Sequence, residues 1–218
     1  MSQLQAARRQ ISDLPCPFWV GHFSRLSHWK GQHVLLEAMA LCPPEIGAIF
    51  VGDALFGEAE YAHKLQEQVV QLGLCDRVRF LGFQSPVLPL MRVCNLLAHT
   101  ATAPEPFGRV IVEGMLCGRP VVAAAAGGAL ELIEHERTGW LTPPENATRL
   151  AETLMMSHGD PAMTAIVARQ GQLVAQERFS LPDINAKIER VLRAATNSAP
   201  SISQGSVSKS YHPVSSSR

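Results

Sequence analysis

Short runs that are apolar at nearly every position, rather than at every second one, recur along this chain, and a segment of helical spacing follows each. A strand with one wet face alternates apolar and polar residues; one that is apolar throughout has to be covered on both faces. The runs are residues 17–21, 46–52, 77–83, 95–99, 119–123 and 138–141, and Pro120 is tolerated near the start of the fifth. Residues 32–40 place Val34, Ala38 and Leu41 on one helical face, with Leu35 and Met39 beside it. Residues 58–72 read as a polar amphipathic helix with Gly73 as its stop. Short helices near 87–93 and 109–117 and one opened by Gly127-Gly128 follow, and three more, roughly 147–156, 162–177 and 182–194, end the series. Repeated strand–helix units predict an α/β fold, a Rossmann-like doubly wound parallel sheet with helices on both faces. Ligands of such sheets sit beyond the carboxyl ends of the strands, which directs attention to the loops found there.

Three regions are expected: a linker-like segment at 1–14, a ligand-binding domain at 15–196, and a serine-rich, disordered tail at 197–218. The tail reads as an inert extension, or as a partner or kinase target. Residues 1–14 carry Arg8-Arg9 with no apolar core behind them, so no secretory signal is visible. The longest apolar region, around 110–126, is broken by Glu113 and Arg119 and is too short to span a bilayer. Nineteen basic side chains balance nineteen acidic ones, so no overall field argues for nucleic acid or membrane, and an anion would be held by a few placed cations. Cysteines 16, 42, 75, 94 and 117 show no Cys-x-x-Cys or zinc spacing. That predicts free thiols, a reducing compartment and a cytoplasmic location, with work at the inner membrane face left open.

The stretch Glu105-Pro106-Phe107-Gly108-Arg109-Val110-Ile111-Val112-Glu113 carries the chemistry. Pro106 biases Glu105 to an extended loop conformation. Gly108 lets a ligand approach the backbone, and Glu113 falls in the second turn of the next helix, about 7–8 Å along its axis. A loop carboxylate, exposed amides at a helix start and a helix carboxylate suit a hydroxyl-rich, phosphorylated ligand. Two carboxylates also fit a glycosidase acid–base pair, and sequence spacing does not exclude it. Against it stand Arg25 and Lys30 in the loop after the first strand. Those cations suit a diphosphate, at roughly 4 kcal/mol of attraction each before desolvation, or are simply solvated. Gly127-Gly128 either admits a ligand to a helix start or packs that helix tightly. Residues 80–83, with Gly82 and Phe83, either present backbone to a nucleobase edge or serve core and turn. The histidines, among them His22, His28, His33 and His99, show no metal-ligand spacing, no Asp-x-Asp occurs, and Trp29 and Trp140 read as packing residues.

Taken together, Arg25-Leu26…Lys30-Gly31, Phe80-Leu81-Gly82-Phe83, Glu105-Pro106-Phe107-Gly108…Glu113, Pro120-Val121-Val122-Ala123, Gly127-Gly128, Glu131-Leu132-Ile133 and Thr138-Gly139-Trp140-Leu141 resemble the C-terminal, donor-binding domain of a GT-B fold retaining glycosyltransferase of family 4. The resemblance covers about residues 15–195. It implies that Arg25 and Lys30 neutralise a departing nucleotide diphosphate. Glu113 would take the ribose hydroxyls and Glu105 the donor sugar. The amides after Phe107 and Gly108, Arg109 included, would orient that sugar, with Gly82, Phe83, Gly127 and Gly128 completing the donor site. No metal and no cofactor are implied; the nucleotide diphosphate sugar is a co-substrate. Ser24 stands where the family usually has glycine, and Asn95 where aspartate is common. Such enzymes close their cleft between two domains, so an N-terminal acceptor-binding domain or subunit is expected as a partner. The alternatives are a non-catalytic nucleotide-sugar-binding module and a sugar-nucleotide epimerase of the same fold.

Overall fold

The computed structural model describes residues 2–12, 16–55 and 57–197. Six parallel strands form one sheet: β1 (Phe18–Phe23), β2 (Ile46–Val51), β3 (Val78–Phe80), β4 (Leu96–His99), β5 (Val121–Ala124) and β6 (Trp140–Thr142). Their spatial order is β3-β2-β1-β4-β5-β6, so the direction of winding reverses between β1 and β4. That reversal parts the loops leaving the two strands and opens a crevice at their carboxyl ends, the usual ligand position of doubly wound sheets.

Every residue of β1, β2, β4 and β5 is buried, His22 and His99 included, in keeping with strands that are apolar at nearly every position. On one face Phe18, Val20, Ala48, Phe50, Leu96 and Ala98 join Leu35 and Met39 of α2 (Gln32–Leu41), Leu65 and Val69 of α3 (Ala59–Gln71), and Leu150 and Leu154 of α7 (Ala147–Gly159) in one core. The other face is covered by α5 (Arg109–Leu116), against which α8 (Pro161–Arg178) packs. Gly114 of α5 sits so close to β4 that a Cβ would lie 2.6 Å from Leu97 Cδ1, so a side chain there would push the helix off the sheet. Asn95 opens β4 by accepting the Trp19 N–H at 2.8 Å, a role a carboxylate also fills.

Several elements differ from the sequence reading. β3 ends at Phe80 rather than running to 83, because Gly82 takes φ +64° and leaves the extended region. β1 runs on through His22 and Phe23, both buried. β5 starts after Pro120, whose carbonyl still accepts the Leu97 N–H at 3.0 Å. The linker-like reading of 1–14 contained no helix; the structure has α1 (Gln3–Arg9) there, opened by a Ser2–Gln5 capping box and touching α4 (Leu88–Val93). Its polar sequence hides a narrow apolar stripe in which Ala7 and, just past its end, Ile11 are buried. The Gly127-Gly128 helix, α6 (Ala129–Leu132), is a single turn.

The chain divides after Arg178. The second unit contains α9 (Leu181–Asn197), an amphipathic helix that exposes Ile188, Val191 and Leu192. The sequence reading places residues 15–196 in one domain; the serine-rich tail lies, past Asn197, outside the described residues. All five cysteines are unbridged, and no described helix is long and apolar enough to cross a membrane.

Candidate active site

The loop leaving β1 carries Arg25 and Lys30; the loop leaving β4 carries Glu105, Phe107 and Gly108. They meet where the winding reverses. Lys30 Nζ lies 2.8 Å from Glu105 Oε1, with the two side chains only 13% and 20% exposed. The ammonium also sits 4.0 Å from the centroid of the Trp29 ring, a cation–π contact that fixes its direction. Glu105 therefore stands on an ordered cation, and seventy-five residues of sequence separate the two partners.

Two glycine features hold these loops together. Gly31, between a 3-10 turn at His28–Lys30 and α2, adopts φ +69° and lies against the carbonyl of Thr100, the residue after β4. Gly127 adopts φ +55°, and Gly128 N–H donates to Glu105 O at 2.8 Å. A Cβ on Gly127 would lie 2.3 Å from that same oxygen, and one on Gly128 would lie 2.5 Å from Phe107 O. Of the two sequence readings of this pair, the structure displays tight packing, and what it packs is the Glu105 loop itself. The pair lines neither cavity described below.

A cavity of about 500 Å³ is lined by Lys30, Glu105, Phe107 and Gly108. A second, of about 360 Å³, is lined by Gly52, Phe83 and Glu113. Both are bordered by Phe23, Ser24, Arg25, Arg109 and Val110, so they adjoin as one trough with Arg25 and Arg109 at its middle. Phe83 is 75% exposed. Gly82 lines neither cavity, and its carbonyl accepts the Gly52 N–H at 2.9 Å. Gly108 adopts φ +83° at the start of α5, and no side chain caps that helix start. Glu113, one turn in, has no side-chain partner among the described residues. Ser24 spends its hydroxyl locally, donating to Arg25 O at 2.9 Å while accepting from Gln32 Nε2 at 2.9 Å.

Sequence reasoning missed the layer beneath the trough. His99, the last residue of β4, places Nε2 2.6 Å from Glu105 Oε2. The carboxylate can only accept, so Nε2 carries a proton, and the buried Nδ1 has no partner among the described residues. His22, from the neighbouring strand, places Nε2 3.0 Å from Thr100 Oγ1 and 3.2 Å from Lys30 O. Thr100 in turn donates to Gly31 O at 2.8 Å. Metal-ligand spacing, which these histidines lack, does not reveal this role. The available signal was a histidine ending an apolar strand six residues before the loop carboxylate.

These contacts set the site's acid behaviour. The hydrogen bond from His99 is the main influence holding the Glu105 carboxyl down to about 2, with Lys30 adding to it against the opposing effect of burial. Burial, reinforced by His99, lowers His22 to about 3. Both folded-state values lie below the ordinary ones, so each group stabilises the fold above its unfolded value and loses that contribution as pH falls. The windows run from 6.5 to about 3 for His22 and from 4.5 to about 2 for Glu105. Urea denaturation at a series of pH values is expected to show stability falling from pH 6.5 downward. In His22→Asn the slope between pH 6.5 and 4.5 should shrink by up to about 1.4 kcal/mol per pH unit. Parallel wild-type and variant profiles would remove His22 from the account.

Known proteins share this sequence pattern and fold. Anabaena Alr3699/HepE, solved in complex with UDP-glucose, is 51% identical and superposes with a TM-score of 0.84, over 88% of this chain and 52% of its own. The C-terminal domain of LpcC, a glycosyl transferase group 1 family protein from Francisella tularensis, shares the fold at 24% identity and a TM-score of 0.73, over 83% of this chain and 94% of that domain. The lipopolysaccharide core biosynthesis mannosyltransferase LpsB of Rhizobium meliloti (strain 1021) is 27% identical over 180 residues, 80% of this chain and 51% of its own. The chain spans about half the length of the curated relatives it matches. Residues 9–172 match the family described as Glycosyl transferases group 1, and with most of the first unit inside that match, the chain belongs to this family.

Proposed function

We propose that this chain is the donor-binding half of a retaining, metal-independent glycosyltransferase of family 4 that uses a UDP-sugar. The observation that carries the reading is the trough at the winding reversal, where Arg25, Lys30, Arg109, Glu105 and Glu113 line adjoining cavities. Three cations serve a diphosphate, and the carboxylates at either end serve hydroxyls. Arg25 and Lys30 take the charge that grows on the leaving diphosphate, Glu105 accepts from the donor sugar, and Glu113 accepts from the ribose. The α5 start offers backbone N–H groups at Arg109, and the exposed Phe83 with its backbone meets the base. UDP as the nucleotide is supported by the UDP-glucose bound to the Anabaena relative. Gly82, Gly127 and Gly128 shape these loops.

With Lys30 and Arg25 supplying positive charge where a metal would, neither donor binding nor transfer requires one. An acceptor-binding domain or subunit is needed to complete the cleft and exclude water, and the work is assigned to the cytoplasm or the inner membrane face.

Thermal unfolding in UDP-, GDP- and ADP-glucose, with EDTA present, tests the binding half. A ligand at a hundred times its Kd adds about 2.7 kcal/mol, which for a chain of this size raises Tm by about 5–11 °C. UDP-glucose is expected to do this; no response to any of the three would end the donor-site reading. Binding with no transfer in any assembly would instead describe a non-catalytic module.

A further inference from the structure

At the amino ends of β1, β4 and β5 a cleft of about 460 Å³ opens against α8. It lies at the other end of the strands from the trough, about 17 Å away along β1 at roughly 3.3 Å per residue. Its charged lining has one sign: Arg119 and Arg169 contribute, and no aspartate or glutamate does.

Arg119 is the informative residue. It stands just before β5, where its main-chain N–H bonds to Gly114 O at 3.1 Å. Its guanidinium has no hydrogen-bond or ion-pair partner among the described residues, and its Nε is fully enclosed. Arg119 is half-buried, and a guanidinium with an unmet enclosed N–H at the wall of a cleft is one that an anion can pair. Arg169, exposed on α8, donates to the neutral Gln172 Oε1 at 2.9 Å and has no ion-pair partner among the described residues. Asn95 uses its Oδ1 for Trp19, leaving its amide NH2 without a partner among the described residues. His158 is fixed edge-on to Phe18 at 5.2 Å. The rest of the lining includes apolar surface from Phe18, Pro120, Ala165 and Ala168.

We propose that this cleft is a second ligand site, for a small phosphomonoester gripped by Arg119 and Arg169. A planar guanidinium fork matches phosphate oxygens, and two of them suit a dianion better than a single carboxylate. The volume is that of a small-molecule pocket and exceeds what a phosphate ion fills, so the apolar part receives the ester's organic portion. The site is independent of the donor reading, because no residue is shared between the two.

Isothermal titration of the full chain, without UDP and then saturated with it, tests this with ribose 5-phosphate, glycerol 3-phosphate and glucose 6-phosphate. Ribose, glycerol, glucose and inorganic phosphate serve as controls. At least one ester is expected to bind one-to-one and more tightly than inorganic phosphate, while the uncharged controls do not bind. Arg119→Gln and Arg169→Gln should each weaken it by about tenfold or more, whereas Lys30→Ala should leave it unchanged. Arg169 is exposed, so its variant preserves the readout if Arg119→Gln fails to fold. Absence of binding by all three esters would overturn the proposal. So would binding lost on addition of UDP or in Lys30→Ala, binding no tighter than phosphate, or binding indifferent to both arginine variants.

Discussion

Lys30→Ala is expected to weaken UDP-glucose binding by about 10- to 150-fold, the equivalent of the roughly 1.5–3 kcal/mol carried by a hydrogen bond to a charged group. In an assembly that transfers sugar, turnover should fall further, by about two to three orders of magnitude, as when one stabiliser of developing charge is removed. The reason is that Lys30 is already aimed. Its ammonium is held between Glu105 at 2.8 Å and the Trp29 ring at 4.0 Å, in a loop that is mostly shielded from water. A cation so placed stabilises charge on a departing diphosphate without first reorganising.

Glu105→Ala should behave differently. It frees Lys30 from its carboxylate partner, so affinity for UDP alone should hold or rise while the preference for UDP-glucose over UDP disappears. Calorimetric titration of both ligands on both variants separates the two roles. Equal losses for UDP and UDP-glucose in Glu105→Ala would contradict the assignment of Glu105 to the sugar.

Gly31→Ala should be strongly destabilising. Gly31 has φ +69°, and a Cβ there would lie 1.9 Å from the Thr100 carbonyl oxygen and 2.9 Å from its carbon. Both obstacles are backbone, so no side-chain rotation relieves them. The left-handed conformation alone costs an L-residue about 1–2 kcal/mol. With displacement of the Thr100 loop the total is expected to reach about 3–5 kcal/mol, a Tm lowered by roughly 6–20 °C. Gly73→Ala is the control: φ is +67°, but nothing lies within 4 Å of its Cβ, so only the conformational cost applies. Equal losses for the two variants would mean that the Thr100 contact carries no strain. Because Lys30 precedes Gly31 and Thr100 follows β4, any Gly31→Ala protein that folds should also bind UDP-glucose poorly.

That coupling also marks where the sequence could be read and where it could not. Strands buried on both faces announce themselves locally, which is why 46–52 and 95–99 fall within a residue of β2 and β4. The helix start at Gly108 and the loop position of Glu105 were legible for the same reason: proline, glycine and spacing act over a few residues. His22 was not, since a buried histidine inside an apolar run looks like the end of that run. The short α1 was missed because only Ala7 and Ile11 distinguish it from a polar linker. What a linear reading lacks is contact at long range. Lys30 with Glu105, His22 with Thr100 and Gly31 with Thr100 join segments 69 to 78 residues apart, and only the strand order brings them together. The same holds for Gly127-Gly128, whose tight packing could be anticipated while its partner, the Glu105 loop, could not.

The most direct test of a donor site at the winding reversal is a crystal structure of the chain grown with UDP-glucose. The account predicts the diphosphate within hydrogen-bond distance of Lys30 and Arg25, the ribose on Glu113 and the sugar on Glu105. UDP-glucose bound elsewhere on the chain, or seated in the trough with its diphosphate away from both cations, would contradict it.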